Sequence, residues 1–476
     1  MKQSTLILLF LHLSLWSQCQ DSSTFKSIDN YLRETIKINE IPGLAVGIIK
    51  NNKVIFQQYY GTETLESNRK VNPNSIFRVY STSKLISTVG VFQLVEKGKI
   101  SIEDKISKYL ANLLNTWQDV KIKNLLTHSS GIPDMIRFTD ISVDATDAEV
   151  IARLTREKME FETGDQFRYN QTNYWLLTRI IEKVSGQTFE DFILKNQFPE
   201  SENSILFSSN SLEMLPNRVV KYNYNADTGK YEKSTNIDGI RAHSANGLAI
   251  SLPAFLQWSI QLNKGDLLKD GTKKMMWKPF DFFNKRDVFG YGWEITKINT
   301  IPSYGFSGGN VSAYRIFPEN DLSIIVMSNG YKFFPVQYQI INHIAGLVDK
   351  NLIDPYLSAE ESIISNFMTK DYPSAQKAYY NNKAKNPKWN FENTLNSVGY
   401  TLLRKGMINE SIKVFELNTR ENPQSGNAFD SLGESYFVAK NYTVALEKYK
   451  KAFELDSQNN NAKDMIMKIE KAMNNN

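Results

Sequence analysis

Residues 77–98 read FRVYSTSKLISTVGVFQLVEKG. Leu85, Ile86, Val89 and Phe92 recur at helical spacing, and Gly98 closes the run. The pattern predicts a helix that opens at Ser81-Thr82-Ser83-Lys84. S-x-x-K at a helix start puts Ser81 and Lys84 one turn apart on one face. A lysine kept partly neutral by burial can then take the serine's proton. The helix N-terminus also favours developing negative charge. Ser81 is therefore the candidate nucleophile.

The tetrad by itself decides little, because STFK at Ser23 and SNRK at Ser67 match it too. Only Ser81 precedes a long apolar helical run. Ser67 lies in a polar stretch, and Ser23 follows an apolar leader. A rival serine stands in GFSGG, Gly305–Gly309, which matches the G-x-S-x-G of a nucleophile elbow. An elbow needs a buried apolar strand before the serine and a helix after it. Here TKINTIPSY precedes it, polar and carrying Pro302, and the strand-like NVSAYRIFP follows. His343 would be the only downstream histidine. It lies in VQYQIINHIAGLV, an apolar helical pattern, and reads as a packed histidine. Ser307 is accordingly not expected to be the nucleophile.

Around these motifs the first part of the chain mixes two periods. STFKSIDNYLRETIKIN reads as a helix, and IPGLAVGIIKNNKVIFQQYYG as two strands around an Asn51-Asn52 turn. From about Ser81 to Lys195 the pattern is mostly helical. Strands return in YGWEITKI, VSAYRIFP and LSIIVMSN, with Pro318 to Asp321 as a turn between the last two. A sheet made from the chain's beginning and end, with helices between, predicts an α+β fold with a mainly antiparallel sheet.

Beyond NLIDPYL, with Pro355, the pattern is helical only. We expect one domain over 24–350 and a second over 356–476. The second repeats itself: the segment from Leu395 aligns with that from Phe429 at an offset of 34 residues. Gly399 meets Gly433, Leu402 meets Tyr436, Ser411 meets Ala445 and Phe415 meets Tyr449. DYPSAQKAYYNNKAKNP, from Asp371, looks like a degenerate earlier copy. A 34-residue helix–turn–helix with a small residue at the close-packed position resembles tetratricopeptide repeats. Two roles stand open for them: a helical cap for the first domain, or a groove for a protein or peptide partner.

Composition excludes several classes. The net charge of +5 is small for 476 residues, and no basic run suggests nucleic acid or anionic lipid. Lys2 followed by an apolar run from Leu6 to Trp16 reads as a signal peptide over 1–19. That implies a periplasmic or secreted protein. Cys19 is the only cysteine, and a lipid anchor on it is the alternative to cleavage. A lone cysteine allows neither a disulfide framework nor a thiolate metal site. The four histidines form no close ligand pair, so no metal or other cofactor is expected. No later stretch is apolar for long enough to be a transmembrane helix.

The Ser81 segment, GKISIEDKISKYL, NLLTHSSGIPD, FRYNQTNYWLLTRIIEKVSGQTFEDFI and FGYGW, in this order, resemble the serine β-lactamase and penicillin-binding-protein superfamily. The class C β-lactamase, D-aminopeptidase and esterase branch is most similar. The resemblance covers about residues 24–345 and implies a β-lactamase-like fold. It also implies a three-part site: Ser81 with Lys84, then Tyr169-Asn170-Gln171, then the strand carrying Phe306-Ser307-Gly308. By this resemblance Ser81 attacks an acyl carbon, while Lys84 and Tyr169 move protons. Nearby cations would lower the pKa of Tyr169. The oxyanion would sit between the backbone N–H groups of Ser81 and Gly309. Gln171, Phe306, Ser307 and Gly308 would line the substrate site. His128 is expected to be structural and away from the nucleophile, and His243 to border the cleft at most.

Two departures from the family pattern bear on substrate. Gln171 replaces an asparagine and keeps the amide one methylene further out. Phe306 replaces a lysine or histidine, removing a donor where a substrate carboxylate would bind. That tilts the expectation toward a serine esterase or amidohydrolase acting on small acyl substrates. A β-lactamase or DD-carboxypeptidase-type penicillin-binding protein is the second reading. A non-catalytic protein presenting the repeats is the third.

Overall fold

The computed structural model describes residues 23–111, 113–225 and 228–474. The expected leader and Cys19 lie outside them. The chain divides into two compact units between Ile353 and Asp354.

The first unit is built on a six-stranded antiparallel sheet from both ends of its sequence. Strands β1 (Gly43–Lys50) and β2 (Lys53–Gly61) form the expected hairpin. Asn51 and Asn52 turn it with φ of 51° and 57°, left-handed values that asparagine tolerates and two-residue hairpins favour. Short strands follow in chain order: β3 (Ile76–Arg78), β4 (Ile205–Phe207), β5 (Tyr222–Asn225), β6 (Lys230–Lys233) and β7 (Leu248–Ser251). The large sheet is completed by β8 (Glu294–Ile298), β9 (Ile301–Gly308), β10 (Ser312–Phe317) and β11 (Leu322–Ser328), in the order β2-β1-β11-β10-β9-β8. Leu44 pairs with Ser328, so the beginning and end of the unit meet inside the sheet.

β9 is the strand that residue pattern alone does not announce. Pro302 lies one step from the Ile298/Ile301 end of the β8–β9 hairpin, opposite Lys297. A proline near a strand's first residue removes a ladder donor where the ladder is ending anyway.

The alternation of β1 sorts its side chains into two cores. Leu44, Val46 and Ile48 join one with helix α1 (residues 23–39) and helix α9 (Gln337–Val348). Ala45 and Ile49 join the other, larger core. The helices between the strand groups are α2 (Ser83–Glu96), α3 (Ile122–Leu126), α4 (Asp147–Leu154), α5 (Gln171–Ser185), α6 (Phe189–Gln197), α7 (Leu252–Lys264) and α8 (Asp270–Trp277). Helix α2 is buried on every side from Ser83 to Leu94, its polar Ser83, Lys84, Ser87, Thr88 and Gln93 included. Its lysine therefore enters the interior with it.

The second unit is all helix: α10 (Pro355–Thr369), α11 (Tyr372–Lys385), α12 (Glu392–Arg404), α13 (Ile408–Glu421), α14 (Gly426–Val438), α15 (Tyr442–Leu455) and α16 (Asn460–Asn474). The 34-residue correspondence has a spatial counterpart. A Cβ on Gly399 would stand 2.5 Å from the Phe415 ring, and one on Gly433 would stand 3.1 Å from the Tyr449 ring. The buried Ser411 donates to the Gly399 carbonyl at 2.8 Å, and Ala445 is buried at the equivalent place. Helix α11 carries the same small–aromatic pair four residues apart, Ala375 and Tyr379, both buried.

Candidate active site

Strand β3 ends at Arg78, and the chain turns once through a 3₁₀ helix, Tyr80–Thr82, before α2 begins. Ser81 sits on that turn. Tyr80 has φ of 49°, a left-handed value uncommon for an aromatic residue and held only where its surroundings fix it. The glycine end of β9 does this. A Cβ on Gly308 would fall 1.9 Å from the Val79 carbonyl oxygen and 2.8 Å from the Ser81 nitrogen. One on Gly309 would fall 2.6 Å from the Tyr80 ring. The two glycines of GFSGG thus let a strand lie directly against the backbone of Ser81. Ser312, at the start of β10, tightens the join by donating to the Val79 carbonyl at 2.6 Å.

Tyr169 comes from the other side. It precedes Asn170, whose side chain caps α5 by accepting from the Asn173 N–H at 3.2 Å. The phenol donates to Ser81 Oγ at 2.7 Å. Lys84, fully buried, reaches the same phenol oxygen at 2.5 Å, Gln171 Oε1 at 3.0 Å and the Ala245 carbonyl at 2.8 Å. Ser81, Tyr169 and Lys84 are one hydrogen-bonded chain. The expected pairing of Ser81 with Lys84 one turn on is replaced by this path. Among the described residues no hydrogen bond joins the two directly, because the phenol lies between them.

Burial holds the Lys84 amine well below the ordinary lysine range, against the nearby charge of Asp134, which raises it. Tyr169 is shifted the opposite way from expectation. Burial pushes its hydroxyl up, with Asp134 and Glu294 adding to the effect and the Ser81 hydrogen bond opposing it. The physical reason is burial of the phenol, and Phe306 supplies no cation beside it to offset that burial. Phe306 is only 4% exposed, its ring 6.2 Å from Tyr169 and 6.1 Å from Phe289. It walls the site from behind rather than lining an open cleft.

Ser307 is brought near none of these groups. It pairs with Ala313 across the sheet, and Ala313 packs in the core on the α9 side. Its side chain is turned away from Ser81. Gln171 opens α5, its backbone N–H donating to Asp134 Oδ1 at 3.1 Å while its own Oε1 accepts from Lys84.

His128 is buried, as a structural residue would be, yet it is not remote. Its ring lies 4.7 Å from that of Tyr169, and its Nδ1 accepts from the Asn170 N–H at 3.1 Å. Burial, reinforced by the charge on Lys84, drives its pKa well down, so the ring is neutral. His243 instead pairs with Glu190 at 2.6 Å. His343 stacks on Tyr31 of α1 at 3.6 Å. Sequence reasoning missed Asp134 and Ala245. The segment GIPD offered a visible carboxylate, but nothing in the sequence marks a backbone carbonyl such as that of Ala245. Among the described residues no group of three or more His, Cys, Asp or Glu side chains is placed to hold a metal ion.

Residues 28–344 match the beta-lactamase family. The chain belongs to that family. The chain is similar to penicillin-binding protein 4* of Bacillus subtilis, 28% identical over 51% of this chain and 57% of the relative. Protein flp of Staphylococcus aureus is 26% identical over 35% of each. The chain thus spans about half or less of the length of these curated relatives. Two solved structures share the fold. The octameric penicillin-binding protein homologue from Pyrococcus abyssi has a TM-score of 0.60 at 23% identity, over 71% of this chain and 81% of that one. EstCE1, described as a hydrolase with promiscuous acyltransferase activity, has 0.59 at 18% identity, over 69% and 99%.

Proposed function

We propose that this protein is a serine hydrolase that works through an acyl-enzyme on Ser81, an esterase or amidohydrolase for small acyl substrates. The observation that carries the reading is the set of partners around Lys84. A neutral amine has two N–H bonds and one lone pair. Gln171 Oε1 and the Ala245 carbonyl can only accept, and they use the two N–H bonds. The lone pair is then free to face the Tyr169 oxygen, 2.5 Å away; transfer begins when the phenol O–H swings from Ser81 Oγ to Lys84 Nζ and the Ser81 hydroxyl turns to donate to Tyr169 Oη.

As Ser81 Oγ bonds to the acyl carbon, its proton moves to Tyr169 Oη and the phenol's own proton moves to Lys84 Nζ. Tyr169 never becomes a free phenolate, in keeping with its raised pKa. The carbonyl oxygen gains the negative charge and is met by the N–H groups of Ser81 and Gly309. Return of the proton through Tyr169 releases the alcohol or amine. Water then repeats the sequence and frees the acid.

Phe306 favours neutral esters, or amides without a terminal carboxylate, since no cation stands at its position. Hydrolysis of p-nitrophenyl esters by wild type, Ser81→Ala and Ser307→Ala tests the assignment. Activity should vanish in the first variant and persist in the second; the reverse would overturn it. The names of the penicillin-binding relatives favour a second reading, hydrolysis of β-lactams or D-alanyl peptides. A fluorescent penicillin adduct on Ser81 in intact-mass spectra would support it.

We further propose the domains as 24–350, the hydrolase, and 356–476, tetratricopeptide repeats, with a protein or peptide as the repeats' partner. The leader over 1–19 supports a periplasmic or secreted location. No described helix is long and apolar enough to cross a membrane.

A further inference from the structure

The six most exposed large apolar side chains of the described chain are Ile136, Leu212, Met214, Ile240, Phe283 and Val288, between 56% and 96% exposed. None is in the repeats or on the outer sheet face. All six stand on four loops, and each loop is anchored to the Ser81 site within a few residues. Next to Ile136, Asp134 accepts the Gln171 N–H, and Met135 N–H donates to Thr172 Oγ1 at 2.8 Å. In the loop of Leu212 and Met214, the Ser208 N–H donates to Gly247, two residues from Ala245, at 2.8 Å. Ile240 begins the turn that leads to Ala245 itself. Below Phe283 and Val288, Asp287 accepts the Phe167 N–H at 2.7 Å, two residues before Tyr169, and Phe289 packs edge-on to Phe306.

Resting on the reading of Ser81 as a hydrolytic nucleophile, we infer that these six side chains form an apolar collar that seats the enzyme on an aggregated, uncharged amphiphile. Its substrates then extend beyond small acyl esters to esters of longer acyl chains presented at a lipid–water surface. Single apolar tips on separate loops suit a fluid surface that conforms to them. Exposed apolar side chains gathered at one place mark such a site, whereas scattered ones mean nothing. The same loops carry charges of both signs, Arg137, Arg241, Lys285 and Arg286 beside Asp140, Asp144, Glu213, Asp238, Asp281 and Asp287, with acids in excess, which fits a zwitterionic surface better than an anionic one. Whatever covers the collar must also let a scissile bond reach Ser81. An amphiphile supplies that bond; a protein seated there would close the site.

The test uses the full chain and an Ile136→Ser/Met214→Ser/Ile240→Ser variant, all exposed positions outside the catalytic machinery. The probes are p-nitrophenyl esters of rising chain length, taken below and above their aggregation point, and phosphatidylcholine vesicles in a sedimentation assay. Wild type should gain rate as the ester aggregates and should sediment with vesicles. The variant should lose about tenfold in both while keeping turnover of soluble p-nitrophenyl acetate. Plain saturation through the aggregation point with no sedimentation would overturn the collar, even if soluble esters are cleaved. So would a wild-type dimer that the variant converts to monomer, since the patch would then join two copies. Vesicle binding that the variant loses, with no ester cleaved at all, would leave the collar standing and remove the hydrolase reading.

Discussion

Tyr169 donates a 2.7 Å hydrogen bond to Ser81 Oγ while accepting one from Lys84. The phenol is the only proton path between serine and lysine among the described groups. Tyr169→Phe should therefore lower kcat by about 10²–10⁴-fold, the range of positioned acid–base groups. KM should change little, because the ring and its packing remain. Steady-state kinetics on a soluble p-nitrophenyl ester check this. A loss confined to KM would place Tyr169 in binding only.

The lowered pKa of Lys84 fixes the sign of the pH profile. The working form is the neutral amine. Below its pKa the lone pair carries a proton and the rate falls, about tenfold per pH unit. kcat/KM should rise with pH through one ionisation and level off below the ordinary lysine value of about 10.4. Lys84→Arg, which cannot become neutral, should remove the rise together with the activity. Raising the pH would not rescue it.

His128→Phe keeps an aromatic ring beside Tyr169 but removes the acceptor of the Asn170 N–H. That buried donor would be orphaned, at a cost of about 1–3 kcal/mol. Thermal unfolding should register the loss. Activity should fall in kcat, since Asn170 carries Tyr169 into place. An unchanged kcat would make His128 a packing residue alone.

Gly399→Ala probes the second unit. The new Cβ would press on the Phe415 ring from 2.5 Å, an overpacking that costs about 1–3 kcal/mol. Denaturant unfolding should show it, while Ser81-dependent turnover of a soluble ester is retained. Alanine at Gly308 should do both harms at once, since the Val79 carbonyl it meets belongs to the site.

Much of this architecture was legible in the sequence. The β1–β2 hairpin announced itself through Asn-Asn, α2 through its apolar period, and the repeats through Gly399/Gly433 and Phe415/Tyr449. The residues that the structure brings together at the candidate site, Ser81, Lys84 and Tyr169, were named by motif and resemblance. What the sequence withheld was relation across space. Nothing in S-x-x-K says that a phenol from a segment 85 residues on will stand between its two ends. Likewise G-x-S-x-G does not say which way its serine faces. The period of β9 decides that, and Pro302 with its polar neighbours hid the period. The direction of the Tyr169 shift depended on how deeply the folded chain buries the phenol, which the sequence does not show.

The close fit of Gly308 against Ser81 ties that serine to a strand made late in synthesis. β9 is held by β10, β10 by β11, and β11 by β1 at Leu44 and Ser328. A ribosome-bound chain that has produced Ser81, Lys84 and Tyr169 holds every titrating group yet no closed site. The strand that closes on Ser81 is therefore in place only once about residue 328 has emerged and found Leu44.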